Sequence, residues 1–193
     1  MSTVKTTNIT HASNSGTENL VLASNGNVTI AGTIAATSGL GKVLQVVSTS
    51  WNGTSSSTST SFAEISSNLR TTITPQSSSN KILVTSSLNT ASNNSRQTYR
   101  MYRSIGGAAY AQAPNASPDG TDNDDGMYNL YTNSEAFMKM NSFTFLDAPA
   151  TTDAIIYSPY WSVSGGTIYT NKDNDGSGTN RGVSTMTLME IAA

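Results

Sequence analysis

The stretch that decides the fold class of this chain is Gln97-Thr-Tyr-Arg-Met-Tyr-Arg-Ser-Ile105. Tyr99 and Met101 alternate in it with Arg100, and successive side chains of a β-strand point to opposite faces of the sheet. The pair Gly106-Gly107 then marks a turn, because glycine adopts backbone conformations that end a strand. The stretch therefore predicts a half-buried β-strand.

Further strand-like runs lie on both sides of this stretch. They occupy residues 42–48, 62–65, 69–73, 81–89, 142–147, 154–163, 167–171 and 184–191. Proline, glycine and asparagine separate them, as they separate short antiparallel strands. We expect about eight strands in an all-β, antiparallel β-sandwich of jelly-roll-like form. The Ser/Thr-only segment Thr54–Ser61 is predicted as a loop, and Asn133–Met140 as a helical turn.

The amino-acid composition favours the same fold class. The chain has 193 residues, of which 30 are Ser and 28 are Thr, whereas only 11% are charged. Threonine is β-branched and suits strands, while serine and asparagine compete for backbone hydrogen bonds inside helices. The surface must therefore consist of hydroxyl and amide groups more than of mixed Lys and Glu.

Residues 1–40 differ from the rest of the chain. Two short apolar runs, Leu20–Ala23 and Val28–Ile30, flank Asn25-Gly26, a dipeptide that favours a type I′ hairpin turn. A hairpin of this size has almost no core of its own. We expect a short N-terminal β arm at 1–40, separated by a glycine hinge from a distal sandwich domain at 41–193. Because the chain has no Cys, the arm is expected to gain stability by trimerising with like strands from other copies.

Charge and residue usage exclude several function classes. A net charge of -2 leaves no basic surface for nucleic acid. No apolar run has the length of a membrane span or signal peptide, so membrane insertion is not expected. His11 is the only histidine, which argues against a Ser-His-Asp triad. We expect no enzymatic activity and no cofactor, although two carboxylates could still cleave a glycan.

One loop has the spacing of a calcium site. Asn171-Lys-Asp173-Asn-Asp175-Gly176 places oxygen ligands at alternate positions and a glycine at the sharp turn. The first ligand is Asn, however, and Gly182 stands where a bidentate Glu is required. We therefore expect a hairpin loop without a metal, and we interpret the Asp119–Asp125 cluster of the loop Ala111–Gly126 first as a solvated acidic loop. The alternative is a divalent cation that these loops bind and through which they contact a sugar.

Two loops and their neighbouring tyrosines form the predicted contact surface. Sandwich loops cluster at the ends of the fold, where a distal surface lies. Aromatic rings stack on sugar C–H faces, while carboxylates and amides bind sugar hydroxyls. The predicted glycan or host contact residues are Asp122, Asp124, Asp125, Tyr128, Tyr169, Asp173 and Asp175. The segment with Tyr157, Tyr160 and Trp161 is either a further stacking surface or core packing.

Several segments resemble fibre proteins of tailed bacteriophages of the marine and cyanobacterial type. Asn19–Gly32 is similar to short repeats near the N-termini of those proteins. This chain is also similar to the C-terminal domain of those proteins. The similar segments are residues 42–47, 69–75, 80–84, 102–106 and 158–160 and the ending Ser184-Thr-Met-Thr-Leu-Met-Glu-Ile191. The resemblance covers most of the chain through short pieces.

The resemblance implies a structural virion protein, a homotrimeric tail fibre or spike exposed on the particle surface. It implies that the N-terminal arm binds other virion proteins and that the distal domain binds a host surface polysaccharide. Long fibres carry many repeats and this chain has barely one, so a short spike or head-attached fibre fits better. Two alternatives stay open. One is an architectural head fibre, capsid decoration or fibre-adaptor protein without receptor binding, and the other is a glycan-degrading spike.

Overall fold

The computed structural model describes residues 8–9, 20–22, 28–30, 41–92, 95–114, 126–132, 137–174 and 180–193. The chain divides into two compact units, Met1–Leu40 and Gly41–Ala193. In the first unit, β1 (Asn8–Ile9), β2 (Leu20–Leu22) and β3 (Val28–Ile30) form an antiparallel sheet in chain order. The predicted Asn25-Gly26 turn lies outside the described residues, as does most of the predicted hinge.

The second unit is an all-β sandwich of two antiparallel sheets. Sheet 1 contains β4 (Val43–Trp51), β5 (Ser55–Ser57), β8 (Lys81–Ser92), β12 (Lys139–Asp147), β14 (Ile168–Thr170) and β15 (Ser184–Ile191). Sheet 2 contains β6 (Ala63–Glu64), β7 (Thr71–Ile73), β9 (Ser95–Ile105), β10 (Ala111–Gln112), β11 (Tyr128–Thr132) and β13 (Ile155–Val163). The predicted all-β, antiparallel sandwich is confirmed.

Several strands lie end to end along one neighbour, so each sheet has four rows within the described ranges. For example, β14 and β15 follow the same edge of β8. In chain order the rows are β4 with β5, β6 with β7, β8, β9, β10 with β11, β12, β13, and β14 with β15. If these eight rows are numbered 1 to 8 in that sequence, the side-by-side order of the rows is 1-8-3-6 in sheet 1 and 2-7-4-5 in sheet 2. The jelly roll stays a prediction, which this row order favours.

Alternating side chains of both sheets fill the space between them. Tyr99 and Met101, which the sequence places on one face of their strand, are completely buried. They belong to one apolar cluster that also contains Ile82, Val84, Leu88, Phe143, Phe145, Ile155, Tyr157, Trp161, Met186 and Leu188. Burial of each large apolar side chain contributes about 1.5–3 kcal/mol before conformational entropy is subtracted. This cluster is therefore the main source of stability of the sandwich.

Pro159 lies in the middle of β13, where a proline cannot donate a hydrogen bond to a neighbouring strand. Its partner on β9 is Met101, whose carbonyl accepts from Ala113 on the far side. The missing N–H of Pro159 therefore points to the opposite edge, toward the row of β6 and β7. That row is interrupted at this position, because the chain leaves it after Ile65 and makes a 3-10 turn at Ser67–Leu69.

The row of β14 and β15 is interrupted by the excursion Asn171–Val183. Asn171 begins the excursion with a φ of 56°, a left-handed conformation that asparagine tolerates. Its side-chain amide donates to the carbonyls of Trp51 and Gly53 at 2.8 and 2.9 Å, and its Oδ1 accepts from Ser184 at 2.7 Å. The fully buried Asn171 thus joins the two ends of the excursion and fixes the neighbouring row.

Two local predictions are wrong. The Ser/Thr segment Thr54–Ser61 is not entirely a loop, because β5 pairs with β14 within it. The helical turn predicted for Asn133–Met140 is contradicted at Lys139 and Met140, which begin β12. In both places cross-strand pairing decides the local conformation, and neither the uniform Ser/Thr segment nor the short mixed segment gives a clear periodic signal of it.

Candidate functional site

The outer face of sheet 2 carries charged and aromatic side chains. Outward-facing positions of the adjacent strands lie side by side in two cross-strand rows, Glu64–Tyr160–Arg100 and Ser158–Tyr102–Gln112. Arg70 follows the 3-10 turn, and Tyr110 precedes β10. We use the name tyrosine patch for the group Glu64, Arg70, Tyr102, Tyr110 and Tyr160.

Three half-exposed tyrosine rings form the centre of the tyrosine patch. The rings of Tyr102 and Tyr160 are stacked, with centroids 4.1 Å apart and an angle of 27° between planes. Tyr110 is tilted against Tyr160 at a centroid distance of 6.2 Å. The guanidinium carbon of Arg70 lies 5.1 Å from the centroid of the Tyr110 ring, within the range of a cation–π contact. The patch therefore presents ring surface beside a positive charge.

Glu64 is held as an acceptor at the edge of the patch. Its two carboxylate oxygens accept from Nε and Nη2 of Arg70, both at 2.7 Å, and Oε1 also accepts from Ser158 at 2.6 Å. Burial acts to raise the pKa of Glu64, but the hydrogen bonds from Arg70 and Ser158 outweigh it and hold the pKa below its usual range. Glu64 is thus ionised near neutral pH and unsuited to donate a proton to a leaving group.

The tyrosine hydroxyls stay protonated in this environment. Burial is the main cause that raises the pKa of Tyr160, and the negative charge of Glu64 adds to it. Burial likewise raises the pKa of Tyr110, against the opposing charge of Arg70. The Tyr110 hydroxyl is buried without a hydrogen-bond partner among the described residues. Because this oxygen is not exposed to solvent, a ligand can contact the half-exposed ring of Tyr110 but not its hydroxyl.

Arg100 lies beside Tyr160 on the outer face of sheet 2. It is only 8% exposed, although it lies on the outer face of the sheet. Its guanidinium carbon lies 4.0 Å from the centroid of the Phe62 ring, and Nη1 donates to Oε1 of Gln112 at 3.1 Å. A planar, always charged group held on two sides is a rigid support for neighbouring rings. Tyr160 is the cross-strand neighbour of Arg100, and Tyr102 that of Gln112; the stacking of the two rings on each other restricts both.

The residues predicted as contacts from the sequence do not come together here. Tyr128 lies on β11 of sheet 2, where it packs on the core and is tilted against Tyr99. Tyr169 lies on β14 of sheet 1, with Nζ of Lys172 4.7 Å from its ring centroid. Asp173 is 4% exposed and accepts from Asn180. The predicted contacts Asp122, Asp124, Asp125 and Asp175 lie outside the described residues.

The alternation of side chains along a strand explains which residues of the tyrosine patch the sequence could have placed on the outer face. Tyr157 and Trp161 face the core and are buried, whereas Tyr160 faces outward. In the decisive stretch, Arg100 and Tyr102 share the face opposite Tyr99, so their outward position was readable from the alternation. Arg70 also alternates with the buried Leu69 and Thr71 in the predicted run, whereas Tyr110 carried no such signal because it lies beside a strand rather than within one.

Two other described carboxylates have structural partners. Glu190 is completely buried and accepts from Gln45, Asn80 and the backbone N–H of Gln76. Burial acts to raise the pKa of Glu190, yet these hydrogen bonds hold the pKa below its usual range. Asp147 accepts from Tyr157 at 2.6 Å and pairs with Arg103. Both carboxylates therefore stabilise the ends of the core.

Within the described ranges, no helix has the length and apolarity that crossing a membrane requires. Among the same residues, no three His, Cys, Asp or Glu side chains group as metal ligands. No protein-family model matches the chain, and no curated protein is significantly similar to it.

Proposed function

We propose that this chain is a non-enzymatic adhesion subunit, a bacteriophage fibre or spike protein whose sandwich domain binds a host surface glycan. The observation that carries the glycan part is the tyrosine patch, with its stacked tyrosine rings beside an ionised carboxylate and a guanidinium. The virion part, the homotrimer and the attachment role of residues 1–40 are supported by the resemblance of the N-terminal and C-terminal segments.

The chemistry of the patch suits a sugar. Ring faces bind the apolar C–H surface of a pyranose, and Glu64 and Arg70 offer an acceptor and donors to its hydroxyls. Protonated tyrosine hydroxyls can both donate and accept. Because the rings already pack against one another, less side-chain entropy is lost on binding. Single sites of this kind bind weakly, and several copies in one particle raise the avidity.

A glycan-cleaving function is less well supported. Glycoside hydrolysis needs one carboxylic acid that stays protonated and a second carboxylate across the scissile bond. The pKa of Glu64 is lowered, and Glu190 and Asp147 are buried in structural contacts. Among the described residues these side chains favour binding over cleavage.

The test compares one tyrosine from each sheet. We expect intact wild-type protein to bind at least one member of an immobilised panel of bacterial surface polysaccharides. Tyr160→Ala should lower the affinity at least about tenfold, which corresponds to about 1.4 kcal/mol. Tyr169→Ala on sheet 1 is the matched control and should bind like the wild type.

Two outcomes would contradict the proposal. If Tyr160→Ala folds with an unchanged circular dichroism spectrum and binds normally, the tyrosine patch is not the contact. If Tyr169→Ala loses binding instead, the contact lies beside the Asn171–Val183 excursion, as the sequence alone predicted. The architectural alternative would be favoured by a different result, in which both variants behave alike toward the polysaccharides and the wild type adsorbs only to virions.

A further inference from the structure

The outer face of sheet 1 carries three cross-strand rows without a charged side chain. Outward-facing residues of the adjacent strands form one apolar row, Val46–Met189–Leu83–Leu146, and two hydroxyl rows, Ser48–Thr187–Thr85–Thr144 and Ser50–Thr185–Ser87–Ser142. We use the name hydroxyl face for these twelve residues. Val46 is 57% exposed and Leu146 is 41% exposed at the two ends of the apolar row.

Many hydroxyls of this face are satisfied within the sheet. Close side-chain contacts join Ser48 to Thr187 at 3.0 Å and Thr85 to Thr144 at 3.2 Å, and Ser142 donates to the carbonyl of Ser86 at 3.1 Å. A polar group that already has a partner costs little to remove from water, whereas an unpaired one costs several kcal/mol. The face can therefore be covered at low desolvation cost, and covering it removes the apolar row from water.

We propose that the hydroxyl face packs against the same face of other copies of this chain. Charge selects this partner, because a partner surface with Lys or Glu would lose hydration without gaining an opposite charge. The outer face of sheet 2, with Glu64, Arg70 and Arg100, does not fit such a neutral surface. A second hydroxyl face does.

The arrangement of the rows also fits self-association. A symmetry axis that runs along the strands keeps equivalent residues at equal height. The apolar row, which crosses all four strands, then meets the apolar row of the next copy, and hydroxyl rows meet hydroxyl rows. An apolar row that ran along one strand would meet its equivalent only on the axis.

The size of the face sets the strength of the contact. Four strands about 4.8 Å apart, with three side-chain rows about 6.7 Å apart, give a flat footprint of about 400 Å². A standard interface takes about 800 Å² from each partner, so this contact alone is small. A single buried charge should therefore be enough to separate the copies.

The first test places a charge on each outer face. Leu83→Lys on the hydroxyl face is compared with Ile156→Lys, its matched control on the outer face of sheet 2. The full chain is used, and mass is measured by light scattering over a range of concentrations. The wild type is expected to exceed its monomer mass of 20.2 kDa. Leu83→Lys should raise the concentration needed for association at least about tenfold, and Ile156→Lys should not.

The second test uses the absence of cysteine from the chain. Thr187→Cys on the hydroxyl face should be protected from maleimide in the assembled protein, because the face is covered by the next copy. The exposed Thr72→Cys on β7 is the control and should be modified freely. These readouts do not depend on glycan binding, which is measured separately with the Tyr160 variant.

Three results would overturn the inference. The first is a wild type that is monomeric at every concentration. The second is an unchanged mass for Leu83→Lys together with free modification of Thr187→Cys in the assembled protein. The third is a protected but monomeric Thr187→Cys, which would mean that another segment of the same chain covers the face.

Discussion

Sheet 1 and sheet 2 each present four rows of strand to their outer side, and the two outer faces have opposite chemistry. The tyrosine patch contains a carboxylate, a guanidinium and three rings, whereas the hydroxyl face has twelve neutral residues in three regular rows. The buried faces of the same strands are alike, since both contribute to one apolar core. The difference shows that the two outer faces can take separate tasks while the core between them stays the same.

Because the chain has few charged residues, the positions of these residues are informative. Only 11% of its residues are charged, yet Glu64, Arg70 and Arg100 lie on one outer face. A random surface of this composition would mix single charges among hydroxyls on both sides. On sheet 1 the exposed Lys81 follows the apolar row on β8, so the separation of charges holds for the twelve residues of the hydroxyl face and not for the whole outer side of sheet 1.

The largest expected difference between the faces concerns their central strands. Arg100→Ala should lower the free energy of unfolding by about 2–3 kcal/mol, because it removes a buried charged hydrogen bond and the packing on Phe62. Thr85→Ala at the centre of the hydroxyl face should cost at most about 1 kcal/mol. Urea unfolding of both variants measures the difference, and equal costs would mean that Arg100 gives the patch no special support.

A second, smaller effect concerns the Glu64 carboxylate. Glu64→Ala should cost about 1–2 kcal/mol, mainly because it leaves the buried Ser158 hydroxyl without its acceptor. The exposed Arg70 partner contributes little, as exposed ion pairs do. The double variant Glu64→Ala with Ser158→Ala should therefore be no less stable than Glu64→Ala. If the double variant were clearly less stable in urea, this explanation would be wrong.

The third prediction separates the faces by pH. A carboxyl whose pKa is lowered by folding stabilises the protein above its unfolded pKa, and this contribution is lost as the pH falls through the folded value. The stability due to Glu64 should therefore decline below about pH 4.3. In thermal unfolding, Glu64→Gln should show a shallower decline than the wild type. Thr187→Val should parallel the wild type, because the hydroxyl face has no titrating group; a shifted profile would contradict this.

The smallest expected effect belongs to single hydroxyls. Thr187→Val keeps the β-branched shape and removes one exposed hydroxyl contact with Ser48. We expect a change in unfolding free energy within about 0.5 kcal/mol. A loss above that limit, measured in urea at low protein concentration, would show that the hydroxyl rows stabilise the sheet itself.

The sequence predicted the strands better than it predicted the surfaces. Alternation identified the strand containing Tyr99 and Met101, and the buried face of that strand is as expected. The uniform segment at Ser55–Ser57 was assigned to a loop, because its pairing with β14 depends on residues far away in the chain. Local pattern therefore predicts the strand and its buried face, but it does not reveal which strands become neighbours.

The candidate site shows the same limit. Tyr160 was grouped with Tyr157 and Trp161, as either a stacking surface or core packing, and its stacking partner Tyr102 lies far away in sequence. The alternation of β9 gave the face of Tyr102, and only the pairing of β9 with β13 brings the two rings together. Tyr110 reaches the patch from outside the strands, so no periodic signal could have predicted it. Separate strand predictions cannot assemble such a group.

The excursion closed by Asn171 has a consequence for how such a protein can change through evolution. The row resumes in register at Ser184, and the pairing of Lys172 with Arg181 lies outside the sheet ladder. Extra residues between Lys172 and Arg181 would therefore lengthen the excursion without shifting any strand. Each doubling of a flexible loop costs only about 0.6 kcal/mol. The chain thus has a position where insertions can accumulate and new surface can be tried, while the core and both outer faces are preserved.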